Sequence, residues 1–100
     1  MKDIKKIRKE IDKLDEEFLD IVSKRFELSK KVAEYKYKNS MRIFDNGREK
    51  EIIKKGMDKL KKQGFEDAKF IKKLFKIIIK KSRKIQRQVI KELRKSKVKL

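Results

Sequence analysis

The sequence predicts an all-α protein, a three-helix protomer whose very long first helix cannot be covered by its own chain, and three observations carry that prediction. Apolar residues recur at steps of three and four over most of the 100 residues, the period of a helix with one buried face. Proline is absent and glycine occurs only as Gly47, Gly56 and Gly64, so little interrupts long helices and nothing reads as a flexible linker. Half of the residues are charged and 37% are hydrophobic. That mix would suit disorder if the apolar residues were scattered, but their regular spacing argues for a folded chain.

The first helix is expected from about residue 3 to about residue 38, on the spacing of Ile4, Ile7, Ile11, Leu14, Phe18, Ile21, Leu28, Val32 and Tyr35. One place in that series, between Ile21 and Leu28, is filled by Arg25. At 1.5 Å per residue the helix would be roughly 50 Å long, whereas a compact chain of this size has a radius of gyration near ~13 Å. A partner chain follows from that geometry, and a domain this short has little buried surface to spare in any case. The segment from Asn39 to Gly47 breaks the pattern, and Asn46 with Glu49 three residues later has the form of a capping box that starts a second helix. Its inner side reads Ile52, Ile53, Met57 and Leu60, and it is expected to stop at Gln63-Gly64-Phe65, with Gly64 in the left-handed position and Phe65 supplying the apolar contact. The third helix is expected from about Asp67 to about Leu93, with Ile71, Leu74, Phe75, Ile78, Ser82, Ile85, Val89 and Leu93 on its inner face. Residues 1–93 therefore form one domain, and 94–100 a basic tail expected to be frayed and solvated.

Composition removes much of the usual chemistry. Cysteine and histidine are both absent, so there are no disulfides, no thiol nucleophile, no imidazole base and neither of the commonest zinc ligands. Reactivity is left to Arg, Lys, carboxylates and amides, and no metal or cofactor is expected. The N-terminal stretch MKDIKKIRKEID is charged throughout, and no run approaches the roughly 20 apolar residues of a membrane span, so a soluble, cytoplasmic protein is expected. The net charge of +18 is uneven: residues 1–49 carry 14 basic and 11 acidic side chains, residues 50–100 carry 20 and 5. Such a surface attracts anions.

The polar residues in apolar places are the candidate site. A buried guanidinium costs several kcal/mol unless an anion meets it, so Arg25 calls for a negative partner, either an internal carboxylate such as Glu49 or a ligand. Lys36 lies 11 residues further on, about 20° around the helix and roughly 16 Å along it, so both can reach one cleft. Ser82 and Gln86 share a face one turn apart, where small polar residues also occur for packing alone. Asp45, Arg48 and Glu49 gather at the start of the second helix, a place where acids cap helices for purely structural reasons. The lysine-rich face of the third helix reads as a solvated surface and lacks the interleaved aromatics that stack on bases.

Together these residues resemble the active-site pattern of the all-α chorismate mutases, the family whose bacterial example is the N-terminal domain of the mutase-prephenate dehydratase enzyme. The resemblance covers roughly residues 4 to 93 and rests on I-R-K-E-I-D-K-L-D at 7–15, S-K-R-F-E-L at 23–28, V-A-E-Y-K at 32–36, D-N-G-R-E at 45–49 and S-R-K-I-Q at 82–86. It implies a Claisen rearrangement of a dianion, chorismate to prephenate, in one pericyclic step within phenylalanine and tyrosine biosynthesis. No nucleophile, base or metal is needed. Catalysis consists of holding the reactive conformer and stabilising negative charge on the ether oxygen.

By the same resemblance Arg25 and Arg8 pair with the substrate carboxylates and Ser82 assists at one of them, while Lys36 and Gln86 donate to the ether oxygen. Glu49 and the backbone near Asp45 receive the hydroxyl, Arg48 orients Glu49, and Val32, Ile52 and Ile79 wall the ring. Arg8 precedes Arg25 by 17 residues, which on one straight helix puts them roughly 25 Å and about 100° apart. One small ligand cannot touch both, so if both serve one substrate Arg8 comes from the partner of an interlocked homodimer. The alternatives are an isochorismate pyruvate lyase on the same scaffold and a basic helical module that binds nucleic acid, whose binding would weaken steeply with salt.

Overall fold

The computed structural model describes residues 3–98 and consists of three α-helices, α1 (Ile4–Lys38), α2 (Asn46–Lys62) and α3 (Ala68–Val98). The helix α3 is the middle of the fold: it packs on both α1 and α2, which do not pack on each other. The result is a thin plank, 66 × 28 × 15 Å, with a radius of gyration of 17.9 Å, well above the ~13 Å of a compact chain of this length.

Helix α1 begins where expected, with Asp3 as its cap accepting from the Lys5 amide. Its 35 residues make it about 52 Å long. The stripe that announced the helix does not face the rest of its own chain. Ile4, Ile7, Ile11, Leu14, Phe18 and Ile21 are between 37% and 63% exposed, and Leu28, Val32 and Tyr35 are exposed as well. The line that meets α3 is rotated by one residue and confined to the second half of α1: Val22, Phe26, Ser29, Ala33 and Tyr37, with Arg25 and Lys36 at its edge. Ser29 and Ala33 are the buried members, and their small side chains are what let two helix backbones approach. Ser29 disposes of its hydroxyl by donating to the Arg25 carbonyl at 3.2 Å, the back-bond that small hydroxyl residues make to the preceding turn.

The chain leaves α1 through a left-handed residue. Ser40 has φ 51°, its amide donates to the Tyr37 carbonyl, and the Met41 amide donates to the Lys36 carbonyl at 2.8 Å, the paired bonds of a Schellman motif. Helix α2 is capped one residue earlier than the sequence suggested. Asp45 is the N-cap and accepts from the Arg48 amide at 3.0 Å, so the expected Asn46–Glu49 box does not form. A carboxylate in the β-region outcompetes the neighbouring amide because it also meets the positive end of the helix. At the other end of α2 the expected left-handed turn forms, while the Phe65 side chain is 66% exposed. Gly64 has φ 90°, and the Phe65 and Gly64 amides donate to the Leu60 and Lys61 carbonyls.

Gly56 sets the α2–α3 spacing. A Cβ there would lie 2.6 Å from the Phe75 ring and 3.2 Å from Ile71 Cγ2, so the absent side chain is what allows the ring to settle against α2. Asp67 caps α3, accepting from the Phe70 amide at 3.0 Å. The most buried residues of α3 are Ile71, Ile79, Ser82, Gln86 and Ile90. Helix α3 continues to Val98, past Leu93 where the sequence suggested it would end, and Lys97 places its ammonium 5.7 Å from the Tyr37 ring centre. Residues 99–100 lie outside the described residues. Among the described residues no helix is long and apolar enough to cross a membrane.

Candidate active site

A cleft of about 650 Å³ opens between the second half of α1, the start of α2 and the middle of α3. Its walls hold Arg25, Val32, Lys36, Asp45, Arg48, Glu49, Ile52, Ile79, Ser82 and Gln86, every candidate residue singled out in the sequence except Arg8. Arg8 is exposed on the free half of α1 and does not line the cleft of its own chain.

The buried polar residues are joined in two cross-helix pairs. Arg25 Nη1 donates to Ser82 Oγ at 2.9 Å. No carboxylate is paired with Arg25 among the described residues, so the internal salt bridge to Glu49 is not formed. Burial and the charge of Arg48 lower the Arg25 pKa from its ordinary value, yet a guanidinium remains charged at neutral pH. Its charge thus faces a cleft in which no carboxylate among the described residues forms an ion pair with it. Lys36 Nζ donates to Gln86 Oε1 at 3.0 Å and to the Ile43 carbonyl at 2.6 Å, which fixes the ammonium between α3 and the loop before α2.

The acidic side of the cleft is arranged differently from expectation. Arg48 reaches along α2 to Glu51 at 2.5 Å rather than to Glu49, because residues three apart are neighbours on a helix face. Glu49 is met instead by Arg83, Nε to Oε2 at 3.5 Å. The Arg83 guanidinium also lies over the Phe44 ring at 5.2 Å, and its buried Nε has no hydrogen-bond partner among the described residues. Arg83 was not recognised in the sequence. It stands among basic neighbours on a lysine-rich helix, and only the path of the loop carrying Phe44 draws it inward. The Ile43 carbonyl could not have been found either, being a backbone group without a residue signature. Asp45 lines the cleft while its carboxylate caps α2, so its structural role is filled.

Five cationic side chains, Arg25, Lys31, Lys36, Arg48 and Arg83, face the cleft against two carboxylates, Asp45 and Glu49. Apolar residues Val32, Ile52 and Ile79 supply flat walls between them. The arrangement suits a small organic dianion with a ring, gripped by guanidinium groups at one end and offered an ammonium and an amide at another.

Comparison with known proteins agrees with that chemistry. The family model described as chorismate mutase type II matches residues 7–87. A curated chorismate mutase of Methanocaldococcus jannaschii is 36% identical over 86 residues, which span 86% of this chain and 86% of that protein. A bifunctional chorismate mutase/prephenate dehydratase of Aquifex aeolicus is 42% identical over 55 residues, 55% of this chain but 15% of that larger protein. No solved structure matches the chain.

Proposed function

Because the chain belongs to the type II chorismate mutases, we propose that the cleft between α1, α2 and α3 binds chorismate and isomerises it to prephenate. The observation that carries the reading is the pairing of Arg25 with Ser82 and Lys36 with Gln86 in one cleft, with no carboxylate on Arg25. The isochorismate lyase and nucleic-acid alternatives are not favoured, since the relatives above are named as mutases.

The side chains act by binding and by placing charge. Arg25, held by Ser82, takes one substrate carboxylate, and the bidentate fork fixes orientation as well as charge. Lys36 and Gln86 present an ammonium and an amide to the ether oxygen, where negative charge grows as the C–O bond breaks. Glu49, set by Arg83, accepts the ring hydroxyl, and Val32, Ile52 and Ile79 press the ring toward the conformer in which the two carbon termini meet. No proton moves and no covalent intermediate forms. The first test is chorismate disappearance followed by ultraviolet absorbance. The wild type should turn over, and Lys36→Ala should be slower by roughly a hundredfold or more, the usual size of a lost oxyanion donor. A folded, inactive wild type would sink the mutase reading.

The second carboxylate is left to Arg8 of a second copy. The apolar stripe of α1 that its own chain leaves bare is continuous from Ile4 to Ile21, and a second α1 laid along it would cover both stripes and bring Arg8 to the neighbour's cleft. The working unit on this reading is a homodimer with two shared sites, acting in the cytoplasm.

A further inference from the structure

A second groove, of about 760 Å³, lies behind the wall formed by Lys36 and Ile43, which line both it and the active-site cleft. Arg87, Lys91 and Arg94 stand on one face of α3 at steps of four and three, and Arg42 faces them from the loop before α2. No carboxylate lines the groove, and none of these four cations is paired with an acid among the described residues. The apolar part of its lining is Tyr37, Met41 and Ile90, of which Ile90 is buried and Met41 exposed.

We propose that this groove is a second binding site for a small organic dianion bearing a ring or other apolar body, separate from the reaction cleft and sensed by it. The charge is the first argument. Unpaired like charges facing one another across a concavity repel, and a multiply charged anion relieves them while gaining charge-assisted hydrogen bonds. The apolar lining is the second, since a naked inorganic anion would gain nothing from Tyr37, Met41 and Ile90. The volume is that of a small-molecule site, and the rim lacks the row of stacking aromatics that a single-stranded nucleic acid would use. The link to the cleft is Lys36, whose ammonium is tied to the Ile43 carbonyl, one residue from Arg42. An occupant that draws Arg42 inward shifts that carbonyl and with it a donor to the ether oxygen. Binding stands on this geometry alone, whereas the link rests on the mutase reading.

The probe is phthalate, an aromatic dicarboxylate, titrated into the full chain and followed by backbone amide NMR shifts at constant ionic strength. Shifts at Arg42, Arg87 and Lys91 are expected in the wild type and equally in Arg25→Ala, with affinity lowered tenfold or more in the folded double variant Arg87→Ala/Lys91→Ala. Prephenate moving the same amides in Arg25→Ala identifies the reaction's own product as the source. Phthalate alone doing so identifies an outside dianion, and the site stands in either case. Shifts confined to the surroundings of Arg25 and Ser82 and lost in Arg25→Ala overturn the proposal, as does sulfate matching phthalate at the same amides. At saturating chorismate, phthalate should lower kcat in the wild type and leave the double variant unaffected. An unchanged wild-type kcat with the groove filled overturns the link while the mutase reading stays intact.

Discussion

Lys36 and Gln86 meet as an ammonium on an amide oxygen, and that contact decides which end of the amide is left for a ligand. With Oε1 occupied, the free end is the NH₂ group, which donates at any ordinary pH. Wild-type kcat/KM should therefore be level across neutrality. In Gln86→Glu the new carboxyl must be protonated to donate, and the neighbouring ammonium favours its ionised form. Activity of that variant should rise only as pH falls below about 4 and vanish toward neutrality, and a level profile for the variant would show that Gln86 does not donate to the reacting oxygen. Arg25, Lys36, Ser82 and Gln86 were legible in the sequence because each interrupts or adjoins an apolar seam. Arg83 was not, because a cation among cations carries no such contrast, and the partner of Glu49 was accordingly misassigned to Arg48.

Among the helices, propensity and period were legible and the turns only in part. Gly64 announced its left-handed turn because glycine has no side chain to strain. Ser40 occupies the equivalent place after α1 at φ 51° without any such signal, since a serine at that position reads as ordinary loop. Ser40→Gly should relieve a conformation that is unfavourable by about 1–2 kcal/mol for a residue with a Cβ, offset in part by the extra freedom glycine gains when unfolded. The expected outcome is a Tm higher by a few degrees in thermal denaturation, and a lower Tm would mean that the serine side chain makes a contact worth more than the strain. The line of α1 that meets α3 was not legible, for a different reason. An apolar stripe says that something covers it, not which chain does. Within the protomer α1 meets α3 through the small residues Ser29 and Ala33, whose low hydrophobicity hid them.

At the scale of the whole molecule, a plank 66 Å long and 15 Å thick leaves half of its longest helix without intrachain cover, and the candidate residue Arg8 stands on that half. Chains carrying Arg8→Ala mixed with chains carrying Arg25→Ala should recover up to about a quarter of wild-type activity, since each mixed pair has one intact site and about half of randomly exchanged pairs are mixed. No recovery after subunit exchange verified by mass spectrometry would refute shared sites. Length was enough to predict that α1 outruns its own protomer, whereas the rotation that turns its stripe outward appeared only once α3 was in place. The bare stripe also bears on supply. On the dimer reading, when chains are scarce enough that most stand alone, the number of working pairs follows the square of expression, so a cell making half as much retains roughly a quarter of its flux.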